Sequence, residues 1–160
     1  MTRFEAEARL VIGTVVSARA GVLEEITFRW AYFLFLMMFV QLIDFIFGGF
    51  IFGHGLIWLF YHYLFEPMTN FTAAYQLDGF LNHPAGWYVG AGLLAANTRF
   101  QNGHRYQGPI GAINAWFIGM YFFYLALTYG LVSAIAAHFL YNFLIDLTGY
   151  IKIKNICHTD

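Results

Sequence analysis

Apolar residues collect into long runs, and only the start of the chain mixes them with charge at helical spacing. Around residues 4–19, Arg3, Glu5, Glu7, Arg9 and Arg19 interleave with Leu10, Val11, Ile12, Val15 and Val16, the pattern of an amphipathic or half-inserted helix at a membrane interface. From Val22 to Phe47 the chain is almost wholly apolar, long enough to cross a bilayer with tilt. Gly48-Gly49 marks a break, and a second run, Phe50 to Phe65, ends at Glu66-Pro67. The last two runs, Ile110 to Tyr129 and Leu131 to Tyr150, meet at Gly130. The pattern predicts an all-α fold, a polytopic transmembrane helical bundle of about four spans.

Residues 66–108 break the pattern. Pro67, Asn70, Asp78, Asn82, His83-Pro84, Asn97, Arg99, Asn102, His104 and Arg105 are scattered through them, and only the eleven residues from Gly86 to Ala96 are continuously apolar. That is too short to cross, so the stretch predicts an extramembrane loop carrying a short interfacial or re-entrant helix. Glycines at GxxxG spacing, Gly49/Gly53 and Gly86/Gly90, predict close helix contacts. The chain is then one membrane domain: the amphipathic helix at 4–19, two spans within 22–65, the loop at 66–108, two spans within 109–150 and a tail at 151–160.

Four crossings put both termini and the 66–108 loop on one side. Arg3, Arg9, Arg19, Arg99, Arg105, Lys152 and Lys154 all fall there, and no Lys or Arg falls opposite. The positive-inside rule makes that side cytoplasmic, where the sequon Asn70-Phe71-Thr72 stays unmodified.

Composition agrees with a bilayer as solvent. Of 160 residues, 60% are hydrophobic and 11% charged, against about 25% charged in a soluble domain; the apolar surplus must face lipid or partner chains. A net charge of -1 offers nothing to nucleic acid. Cys157 is the single cysteine, so no intrachain disulfide forms, and the His-Thr-Asp that follows it is not the aliphatic tail of a prenylation site. The acidic N-terminus lacks the short apolar core of a cleaved signal peptide.

Ionisable side chains inside a span cost about 3 kcal/mol or more each, which makes them functional candidates by default. Three groups stand out: Glu24-Glu25 with Arg29, then His54, then His138 with Asn142. Glu25 and Arg29 are one turn apart and can pair, whereas Glu24 projects about 100° away and keeps a spare carboxylate. His138 and Asn142 share one helix face. One free carboxylate, two imidazoles and an amide suit polarising a water and holding an oxyanion. Asp44 and Asp146 read as solvated span ends opposite the basic side. His62, His83, His104 and His158 read as interfacial or loop residues.

These residues carry a resemblance. Glu24-Glu25-Ile-Thr-Phe-Arg29 resembles the EExxxR motif of the CAAX prenyl protease and bacteriocin-processing family of intramembrane peptidases. Phe50-Ile-Phe-Gly-His54 resembles its FxxxH motif and His138-Phe-Leu-Tyr-Asn142 its HxxxN motif, in the family's order. The resemblance implies an intramembrane endopeptidase acting on peptides or lipidated protein tails. In it Glu24 and His54 activate water, His138 and Asn142 hold the oxyanion, and Glu25 and Arg29 support the first helix. It also implies either a metal-free glutamate mechanism or a divalent metal such as zinc on Glu24, His54 and His138; no HExxH is present. Two other readings stay open: a catalytically silent member packed as a structural subunit in a larger membrane complex, and a haem- or pigment-binding subunit using His54 and His138.

Overall fold

The computed structural model describes residues 3–49, 59, 61–65, 67 and 86–156. Among them regular structure is helical throughout. Helix α1 spans Arg3–Glu24, passes into a π-helical segment at Glu25–Tyr32, continues as α2 over Phe33–Ile43 and ends in a second π segment, Asp44–Gly49. After a π turn at Tyr61–Phe65 come α3 (Gly86–Gly103), a 3₁₀ turn (Arg105–Gln107), α4 (Gly108–Tyr129) and α5 (Leu131–Ile156). Three stretches are long and apolar enough to cross a membrane: Glu7–Phe47, Arg105–Tyr129 and Leu131–Asn155. The expected second span, 50–65, and most of the polar stretch after it lie outside the described residues.

The first helix does not stop at residue 19. Nothing between Arg19 and Val22 can end it, since Gly21 is there for packing: a Cβ on it would meet the Ile135 carbonyl oxygen and the Phe139 nitrogen, both at 3.2 Å. Helix α1 runs antiparallel to α5, and its face toward α5 is the small and polar one. Ser17 Oγ donates to Asp146 Oδ2 at 2.8 Å, and Gly13 sits against the same carboxylate. The apolar face points the other way, with Val11, Ile12, Val15 and Val16 all exposed. This is the arrangement of a helix in lipid, where small residues let backbones approach and large apolar ones face the acyl chains. The close approaches use Gly13, Gly21 and Gly92; of the glycine pairs expected to do this, Gly53 lies outside the described residues.

Burial along the first helix repeats every four residues: Ser17, Gly21, Glu25, Arg29 and Phe33. On a pure α-helix such a stripe drifts by about 40° per step. The wider π turns over Glu25–Tyr32, bonded i to i+5, take back part of that drift. They keep Glu25, Arg29 and Phe33 on the inner face.

Helix α3 is longer than its eleven apolar residues suggest and is central to the fold. It lies antiparallel to α2, where a Cβ on Gly92 would meet the Met37 nitrogen at 3.1 Å, and it packs on α4. Phe33, Leu93, Leu94, Ala96, Met120 and Phe123 form the core between them. The polar residues after Ala96 do not end α3, because each finds a place: Asn97 is fully buried and donates through Nδ2 to the Trp116 carbonyl at 3.0 Å, while Arg99 faces out. Helices α4 and α5 form an antiparallel hairpin whose turn needs glycine, since Gly130 has φ of 90°.

Asp44 is not a solvated end, and Asp146 is only half-exposed. Asp44 is buried and accepts from the Tyr88 hydroxyl at 2.9 Å, and Asp146 is held by Ser17. Both carboxylates were worth keeping in a bilayer only with a donor attached.

Candidate functional site

The inward stripe of the first helix delivers Glu25 and Arg29 to the middle of the bundle. Glu25 is completely buried, and Arg29 Nη1 lies 3.2 Å from its Oε1. The guanidinium is boxed by rings: its central carbon is 4.1 Å from the Phe100 centroid, 5.2 Å from Phe123 and 5.5 Å from Phe122. Its Nη2 donates to the Gly119 carbonyl at 3.3 Å. The anion, the carbonyl and three aromatic faces compensate the buried charge, although Nε and Nη1 make no hydrogen bond.

The same Glu25 oxygen lies 2.8 Å from His138 Nδ1, a contact joining residues 113 positions apart. A carboxylate only accepts, so Nδ1 carries the hydrogen. His138 is buried and stacks on Phe122 at 4.7 Å between centroids. Glu25 therefore orients His138 as well as pairing with Arg29, a second task beyond the helix support expected of it.

Glu24 stands apart. Its side chain is about a third exposed, yet its Oε2 is buried without a hydrogen bond. His104 Nε2 lies 3.9 Å from that oxygen. On the other side of the ring, His104 Nδ1 is 2.9 Å from the Phe100 carbonyl; since a carbonyl only accepts, Nδ1 is the protonated nitrogen of the neutral ring. Two acceptors, a carboxylate oxygen and an imine nitrogen, thus face each other just beyond hydrogen-bond range. One shared proton, or a water admitted by a small shift of either side chain, would bridge them, since the oxygen itself is buried.

His104 also lines a cavity of about 90 Å³ together with His138 and Asn142. His104, His138 and Asn142 therefore share this cavity, while Glu24 does not line it and stands behind His104, 3.9 Å from its Nε2. His54, expected in this company, lies outside the described residues, as do His83 and His158; His62 is exposed. His104 was assigned to a loop because it sits in polar sequence, but a signal for it was present. Phe100-Gln-Asn-Gly-His104 has the same Phe-x-x-x-His spacing as Phe50 to His54, and its Phe is the ring that faces Arg29.

Among the described residues no three His, Cys, Asp or Glu side chains converge as a metal site. Glu24 and His138 face different partners, and the third member of the expected zinc set, His54, is not among those residues. Beside His138 the described residues enclose about 90 Å³, and the second histidine of the haem reading, His54, lies outside them.

Gly119 sits at the crowded centre. A Cβ there would collide with Asn97 Oδ1 and come within 2.9 Å of Phe100 Cδ1 and 3.1 Å of Arg29 Nη2. Gly119→Ala is expected to cost about 1–3 kcal/mol through overpacking, read as a fall of several degrees in thermal midpoint in detergent. An unchanged midpoint would mean that this packing is looser than its distances.

No family model matches the chain, and no curated protein or solved structure is significantly similar to it.

Proposed function

We propose that this chain is an intramembrane endopeptidase that activates a water between Glu24 and His104. The observation that carries this reading is the division of labour between two adjacent carboxylates. Both have a buried Oε2 without a hydrogen bond. Glu25, however, is fully buried with Oε1 committed to Arg29 and His138, whereas Glu24 is about a third exposed and lies 3.9 Å from an imidazole that lines the cavity. A water held there loses a proton to the carboxylate as its oxygen attacks a peptide carbonyl. Asn142 Nδ2 and, in its imidazolium form, His138 Nε2 hold the tetrahedral oxyanion, since Nδ1 is spent on Glu25. The C–N bond then breaks and the proton leaves with the amine. Where a divalent metal binds, it would polarise the same water; the roles given to Arg29 and Glu25 do not depend on it.

The reading puts both termini and the turn between α3 and α4 on the cytoplasmic side, where seven of the eight Lys and Arg residues gather. Helix α3 itself runs back along α2, with Tyr88 at Asp44, and is not part of an extramembrane loop. A cysteine introduced at Asn102 and the native Cys157 are expected to react with an impermeant thiol reagent from the same face. Reaction from opposite faces would rule out that topology.

The decisive test of function is direct. Purified protein in lipid nanodiscs is incubated with a panel of internally quenched apolar peptides in water enriched in ¹⁸O. Cleavage at an internal bond is expected, with the label in the new carboxylate. A panel left intact by protein that is folded and monodisperse would overturn the peptidase reading and favour a packing subunit.

A further inference from the structure

Much of the cavity wall is built from α4 and α5, and the motif residues on it, His138 and Asn142, leave Asn114 and Tyr141 unexplained. Asn114 Nδ2 on α4 donates to the Tyr141 hydroxyl oxygen on α5 at 2.7 Å, and both side chains line the cavity. This bond fixes the polarity of the pair. With its oxygen accepting, the Tyr141 hydroxyl turns its own hydrogen outward as a donor, and Asn114 keeps Oδ1 as an acceptor. Side by side, one donor and one acceptor match the C=O and N–H of a single residue in an extended strand, which point to the same side and bond as a pair.

Charge narrows the ligand further. Of the chain's eight Lys and Arg residues, none lines the cavity, whose polar walls are His, Gln, Asn and Tyr. Arg29 is buried and tied to Glu25 and the Gly119 carbonyl. A free C-terminal carboxylate would find no Lys or Arg here and would compete with the oxyanion for His138, whereas an uncharged main chain would find hydrogen-bond partners.

We propose that Asn114 and Tyr141 form a main-chain subsite that takes an internal, extended peptide segment beside the scissile bond, not a chain end. The proposal deepens the peptidase reading and names its substrate class. Asn114 and Tyr141 are positioning residues here, and they touch the peptide next to the bond that breaks.

Binding is read on Glu24→Gln protein in nanodiscs, so that it is separate from cleavage. The probe is a fluorescein-labelled Leu/Ala-rich peptide opened by a central Gly-Ser-Gly break, with its C-terminus amidated. Tyr141→Phe is expected to weaken binding by roughly 3–10-fold, the worth of one hydrogen bond. In a set of probes with one amide replaced by an ester, one position is expected to cost a similar factor, and that cost should vanish in Asn114→Ala. A purely structural role for the pair would weaken all probes equally. Equal ester costs with and without Asn114, or tighter binding of a probe that ends in a free carboxylate at the break, would overturn the proposal. A protein that binds as expected but whose wild type never cleaves would refute the peptidase and leave the subsite standing.

Discussion

Arg29→Ala is expected to destabilise the protein by about 3–5 kcal/mol, the cost of stranding one member of a buried ion pair. Glu25 is 0% exposed and would keep a carboxylate with no cation beside it. The Gly119 carbonyl would lose its side-chain donor, and Phe100, Phe122 and Phe123 would face a void where the guanidinium lay. The reading has a rescue that a generic packing defect lacks. Glu25→Gln together with Arg29→Met removes both charges and keeps most of the volume, so the double variant should recover much of the loss. Thermal or denaturant unfolding in detergent decides it. If the double variant is no better than Arg29→Ala, the charge pair is not what holds these helices.

Glu24→Gln should do the opposite: leave the fold intact and remove the activity. Glu24 makes no hydrogen bond through its buried oxygen, and its side chain is about a third exposed, so an amide of the same shape loses little. The amide cannot take a proton from water, and loss of a general base costs roughly 10²–10⁴-fold in kcat. Glu25→Gln makes the contrast, because it should lower stability first and activity through His138. Full activity in the Glu24 variant would transfer the base to another group and end this mechanism.

Local spacing made some of this site legible and tertiary packing hid the rest. Glu25 and Arg29 are one turn apart on one helix, so their pairing follows from the sequence alone. The bond from Glu25 to His138 does not, because it depends on how the π turns rotate the helix before it meets α5. Helix α3 was obscured for a different reason. Its inner face carries Asn97, and a fully buried amide with a carbonyl partner looks in sequence like a loop residue. His104 shared that fate, although its spacing from Phe100 repeats one already singled out. The long runs after Gly108 were plain, since continuous apolar sequence bounded by glycine leaves few alternatives.

The placement of Arg29 one turn from Glu25 also bears on how the chain enters its membrane. Both partners belong to one nascent helix, so their contact can close before α3, α4 or α5 has been made. The segment then presents itself to the bilayer as a near-neutral dipole and avoids the insertion cost of two separate charges, about 3 kcal/mol apiece. His138, which completes the cluster, is added more than a hundred residues later. For this cluster, biogenesis can therefore proceed in order, from a self-compensated Glu25–Arg29 pair to an arriving histidine.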